Sequence, residues 1–161
     1  MIVVSPMLKC SLMDGPDAFE VTVLEASAPR RVVLFAVGGG GDPERHLPLL
    51  SALREHQCTV IAPQFARLLS PRATADHLLL RGRRLKQALD AFAKPELPIA
   101  GIGHSIGGAM LLGLAGGTLW LSPNESLSLV QECRLDRLVL MAPTTAFFRG
   151  PGALTKLRIP I

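Results

Sequence analysis

The stretch Leu97-Pro98-Ile99-Ala100-Gly101-Ile102-Gly103-His104-Ser105-Ile106-Gly107-Gly108-Ala109 leaves this chain few ways to fold. It joins a short apolar run to a small-residue helix start through a cramped turn with one serine at its tip. In Gly103-x-Ser105-x-Gly107 the residues two before and two after the serine carry no side chain, so a strand and a helix can approach closely. Such a corner exposes the serine Oγ, turns the Ile106 N–H toward the space in front of it and aims a helix N-terminus at developing negative charge. Gly103, His104 and Gly107 thus frame the elbow, Ser105 is the candidate nucleophile, and Ile106 is the first candidate oxyanion donor. The bland alternative is a tight glycine turn with an inert serine. Context argues against it, because the upstream run is apolar and uncharged and Ala109–Ala115 can form a buried helix.

Around the elbow, strand and helix signals alternate. Ala18–Glu25 has period-2 character and reads as a half-exposed strand, with the first residues as its partner. Arg31–Val37 is a continuous β-branched and aromatic run, as expected of a strand covered on both faces. It ends in Gly38-Gly39-Gly40-Gly41-Asp42-Pro43. A helix is predicted from Pro43 to His56, with Asp42 placed to cap it. Cys58–Pro63 reads as a strand, Ala75–Ala93 as a long amphipathic helix, and Arg137–Pro143 as another buried strand beyond a polar loop at Ser122-Pro123-Asn124-Glu125. This alternation implies parallel strands joined by crossover helices, in one domain over residues 1–161.

Composition excludes several classes. Apolar content of 48% against 19% charged residues fits a globular chain. The net charge of +4 is scattered, apart from Arg81, Arg83, Arg84 and Lys86, which read as the solvated face of a helix. With no tyrosine and no interleaved aromatics, a nucleic-acid surface is not expected. Cys10, Cys58 and Cys133 form no framework or metal-ligand spacing and fit a reducing, cytoplasmic setting. The N-terminus lacks a basic region, so no signal peptide is expected. The uncharged run toward Asn124 is too rich in glycine and too broken by proline to span a membrane. Nucleotide-binding loops fail as well: Gly101-x-Gly103-x-x-Ile106 lacks the third glycine, and no Lys-Ser or Lys-Thr follows Gly108.

A buried strand ending in a glycine loop, a helix, a second strand ending in Ala-Pro, a helix and Gly-His-Ser-Ile-Gly-Gly together resemble the first two-thirds of an α/β-hydrolase. Among its members the chain looks most like small esterase-like or dienelactone-hydrolase-like proteins. The resemblance implies a three-layer α/β-hydrolase-type sandwich with a mostly parallel central sheet. It also implies a small acyl substrate, such as a carboxylic ester, and serine chemistry without a cofactor or metal. Ser105 matches the nucleophile and Ile106 one oxyanion donor. Gly39 matches the second donor, with Gly38 leaving room for close approach, and Val37 replaces the family's common histidine.

The family's order is serine, then acid, then histidine. Here Glu125, Glu132 and Asp136 all precede the last complete strand, no Asp or Glu lies in residues 137–161, and no histidine follows His104. The sequence is therefore expected to be an incomplete α/β-hydrolase with its C-terminal strands missing, and Leu157–Ile161 to open one more strand. His46, His56, His77 and His104 read as helix or elbow residues rather than bases. Lacking a base lowers serine reactivity by a factor on the order of 10^4 to 10^6. Two further expectations follow. The strand Arg137–Ala142 would be an uncovered edge open to a second copy, and a non-catalytic ligand- or partner-binding protein is the alternative to a serine esterase.

Overall fold

The structure, a computed structural model, describes residues 7–161. The reading of the extreme N-terminus concerns Met1–Pro6 and lies outside the described residues. Eight strands are found: β1 (Met7–Asp14), β2 (Asp17–Leu24), β3 (Arg31–Ala36), β4 (Cys58–Pro63), β5 (Ile99–His104), β6 (Thr118–Ser122), β7 (Glu125–Ser128) and β8 (Leu135–Met141). Three α-helices join them: α1 (Leu47–Glu55), α2 (Ala75–Phe92) and α3 (Ile106–Leu114).

Six strands form one sheet in the order β1-β2-β4-β3-β5-β8. The pairs β3–β4, β3–β5 and β5–β8 are parallel, whereas β1–β2 and β2–β4 are antiparallel. Helices flank this sheet. α2 and α3 pack on each other and against β3 to β5, and α1 packs against β2 and β4. The central strands are the apolar ones because both of their faces are covered. Val32 to Ala36 and Val60 to Ala62 are all buried, as is every residue of α3.

Four departures from the sequence reading have identifiable causes. The helix predicted from Pro43 begins as a 3-10 turn, Pro43–His46, capped by the Asp42 carboxylate, which accepts from the Glu44 N–H; the α-helix proper starts at Leu47. The polar segment near Pro123 is not a plain loop. It is the turn of a two-stranded hairpin, β6–β7, whose strands are too short to show a period. β8 is only half covered, with Val139 exposed on one face. Finally, Leu157–Ile161 form no strand, although the Leu138 N–H donates to the Pro160 carbonyl, so the outer edge of β8 is partly occupied.

The basic cluster of α2 also differs from expectation. Arg83 is exposed as expected, but Arg83, Arg84 and Lys86 are tied to acids and Arg81 is buried. Arg83 and Arg84 hold the Asp14 carboxylate at 2.6 and 3.0 Å, and Lys86 holds Glu132 at 3.0 Å. The Arg83 hydrogen bond, with that of Arg84, keeps the Asp14 carboxyl well below the usual range despite burial. Burial pushes the Glu132 carboxyl up, but hydrogen bonds from Arg134 and Lys86 outweigh it and bring the pKa down to about 2. The fourth member, Arg81, is 2% exposed and lies among Leu78, Leu85 and Leu89 on the apolar stripe of the helix.

Candidate active site

Three parallel strands deliver loops to one place. The C-terminal ends of β3, β5 and β8 continue into Val37–Gly41, Ser105 and Ala142–Thr144, and the space beyond such strand ends is where open α/β sheets bind ligands.

Ser105 stands alone between β5 and α3 with φ 54° and ψ −121°, a backbone conformation that non-glycine residues adopt at a cost. What holds it there is packing. A Cβ on Gly103 would lie 2.7 Å from Gly108, and one on Gly107 would lie 2.0 Å from the Ala36 carbonyl oxygen. Strand and helix meet backbone to backbone, and only glycine fits on either side of the serine. The end of β8 clamps the corner. Ser105 N–H donates to Met141 O at 3.0 Å, and Thr144 N–H donates to Ser105 O at 3.1 Å.

The glycine loop lies against this corner. A side chain on Gly38 would come within 2.9 Å of His104 Nδ1 and 3.4 Å of Ser105 Cβ. Its absence lets the loop pack on the elbow. Gly39, Ser105, Ile106, Thr144 and Phe147 line a cleft of about 290 Å³, whose other wall is Leu68–Pro71 and Ala73. The N–H groups of Gly39 and Ile106 both belong to residues of this cleft, and among the described residues neither donates a hydrogen bond within the fold. Two adjacent pairs far apart in the sequence thus meet: Ser105, Ile106 and Gly39 line one cleft, and Gly38 packs beside Ser105 and His104.

A smaller hollow of about 200 Å³ adjoins it, lined by Val37–Asp42, Arg45, His46, His104 and Ser105. The His46 ring lies 5.0 Å from Phe35 and 5.2 Å from His104, centroid to centroid. Burial, with the neighbouring His104 and Arg45, lowers the His46 pKa, favouring the neutral ring. Neither ring is hydrogen-bonded to the Ser105 hydroxyl among the described residues. The other histidines are accounted for elsewhere: His56 Nδ1 meets Ala52 O at 2.8 Å, and His77 completes a capping box with Thr74.

The acids after Ser105 do not line the cleft. Glu132 is bound by Lys86 and Arg134, Asp136 by Arg31 at 2.7 Å, and Glu125 is exposed on β7. Sequence reasoning missed Arg81, whose guanidinium reaches the carbonyls of Val37 and Gly38 beneath the glycine loop. Its signal was spacing: position 81 falls on the same i, i+3, i+4, i+7 stripe as Leu78, Gly82 and Leu85.

Comparison with known proteins agrees with this architecture. The solved structures similar to this chain include an open-form lipase, with 24% identity over 84% of this chain and 43% of the lipase, at a TM-score of 0.59. A thioesterase domain from the curacin biosynthetic pathway matches at 17% identity and a TM-score of 0.64, over 86% of this chain and 47% of its own. A soluble variant of monoglyceride lipase from Saccharomyces cerevisiae, in complex with a substrate analog, matches at 13% identity and 0.64, over 89% and 47%. At these identities the likeness is one of fold, and the chain spans less than half the length of each. A search of curated proteins finds no relative. The sequence profile of the alpha/beta hydrolase family matches residues 33–160, from the first buried parallel strand almost to the last residue. With that match over most of its length, and the elbow at the end of β5, this chain belongs to the alpha/beta hydrolase family.

Proposed function

We propose that this is a serine hydrolase site for a carboxylic ester or related small acyl substrate, working through an acyl-enzyme on Ser105. The observation that carries the reading is convergence: the elbow serine and two backbone N–H groups from separate loops border one cleft. In the reaction, Ser105 Oγ adds to the acyl carbon while its proton passes to water, no histidine being hydrogen-bonded to it among the described residues, and water returns a proton to the leaving alcohol. The Gly39 and Ile106 N–H groups hold the oxyanion, and Gly38 lets their loop approach. Collapse expels the alcohol, and water then releases the acid and frees the serine. The chemistry calls for no cofactor.

No acid–histidine pair flanks Ser105 among the described residues, so ester turnover by the 161-residue chain is expected to be nearly absent. The test is therefore chemical labelling. A fluorophosphonate should modify the purified chain slowly at Ser105, and Ser105→Ala should abolish the adduct. If Ser105 also stays unlabelled in a longer form of the protein that carries an acid and a histidine, the reading of a non-catalytic ligand- or partner-binding member takes its place.

Unpaired Cys10, Cys58 and Cys133 fit a cytoplasmic setting, and among the described residues no helix is long and apolar enough to cross a membrane. The outer edge of β8, occupied in part by the Pro160 carbonyl, is together with the exposed Val139 the place where a second copy would pair. Size-exclusion chromatography should then show a dimer that Val139→Lys dissociates, and a wild-type monomer across the concentration range would refute it.

A further inference from the structure

Arg81 is almost wholly buried, yet among the described residues no carboxylate pairs with it. Burial lowers its pKa to about 10, which still leaves the guanidinium charged at neutral pH. A cation taken out of water without a counter-charge is costly, so its contacts need a reason. Those contacts are three backbone carbonyls and one ring. Nη1 donates to Val37 O at 3.4 Å and Gly38 O at 3.2 Å, Nη2 donates to Ala66 O at 3.4 Å, and Cζ lies 4.7 Å over the Phe65 ring.

The Gly38 carbonyl and the Gly39 N–H are the two ends of one peptide unit, and that unit is trans. In a trans peptide these groups point to opposite sides. Holding the carbonyl toward Arg81 therefore turns the N–H the other way, and Gly39 borders the cleft that contains Ser105. Neither glycine has a Cβ to restrain the peptide plane between them, and besides Arg81 the Gly38 carbonyl is held, among the described residues, only by the Gly41 N–H, at 3.1 Å within the same glycine loop. A rotated plane would present a carbonyl where an oxyanion needs a donor. A cation bonded to the carbonyl also polarises the amide and strengthens the donor at its far end.

We propose that Arg81 is a positioning residue whose hold on the Gly38 carbonyl aims the Gly39 N–H into the cleft in front of Ser105. The same guanidinium ties in the opposite wall. It reaches Ala66 and Phe65, whose segment is stitched to the glycine loop by Phe65 N–H to Gly41 O and Leu68 N–H to Gly39 O. What the aimed N–H binds rests on the hydrolase reading above; the orientation itself does not.

The test compares Arg81→Met and Arg81→Lys with wild type in the 161-residue chain. It measures fluorophosphonate modification of Ser105, amide exchange across residues 38–41 and 65–69, and thermal unfolding. Arg81→Met should react about 10- to 100-fold more slowly, since removing one oxyanion donor costs on the order of 10²–10³ in rate. Arg81→Lys, which keeps a cation and can reach one carbonyl, should recover part of that loss, and exchange in both segments should quicken while β5 and α3 stay protected. Wild-type reactivity in a folded variant, or unchanged exchange at 38–41, would overturn the proposal. If the methionine variant does not fold, the lysine variant carries the same two outcomes. If wild type itself does not react, exchange alone decides the role of Arg81, and labelling of the longer form decides the hydrolase reading.

Discussion

Two glycine-rich turns lie side by side at the cleft, and they are held by different forces. At the elbow, Gly103 and Gly107 are glycines because there is no volume for anything else: added Cβ atoms would overlap backbone at 2.7 and 2.0 Å. In the neighbouring loop, a Cβ on Gly39 would meet only the Leu68 side chain, at 3.8 Å. Nothing steric fixes that residue. Its carbonyl is held by the Leu68 N–H, the preceding carbonyl by Arg81 and the Gly41 N–H, and the loop's end by Gly41 itself, whose φ of +80° and approach to Phe65 O demand glycine again. Close packing thus sets one half of the candidate oxyanion site, and hydrogen bonds from a distant helix set the other. A packed turn resists change until it fails, whereas a loop held by hydrogen bonds can lose its orientation while the fold survives.

The sharpest way to break this contrast is a pair of alanines. Gly107→Ala drives a methyl into the Ala36 carbonyl and should cost more than about 3 kcal/mol or prevent folding, as overpacking against backbone that cannot yield. Gly39→Ala should cost under about 1 kcal/mol in denaturant unfolding, because its methyl has room. Its cleft position should show instead as slower labelling of Ser105. Equal stabilities for the two variants would end the distinction drawn here.

A smaller effect sharpens the elbow side. Ser105 at φ 54° carries strain of about 1–3 kcal/mol. Ser105→Gly relieves it, while the added freedom of glycine in the unfolded chain offsets about 0.5–1 kcal/mol. A net gain of about 1 kcal/mol in unfolding free energy is expected, with all labelling lost. A destabilised glycine variant would mean that the hydroxyl, not the packing, maintains the turn.

The elbow was legible because its constraint is local: residues 103 to 107 must satisfy one another within a single turn, and their spacing records it. The parallel core was legible for a related reason, since strands covered on both faces write continuous apolar runs such as Arg31–Val37. The β6–β7 hairpin was not, because strands of five and four residues are too short to leave a period to detect. The basic residues of α2 were misjudged for a different reason. Charge in a helix reads as solvent-facing until the partners are known, and Asp14 and Glu132 lie about 70 and 45 positions away from the residues they bind.

By itself, then, the order of amino acids determined the serine corner, the glycine loop, the alternation of strands and helices, and hence the family. Only the tertiary structure decided that Arg81 lies beneath the glycine loop, that the acids after Ser105 are bound elsewhere, and that β8 is half bare. The physical reason is range. Sterics and periodicity act between neighbours in the chain, whereas a buried cation selects its partners only once the elements have packed.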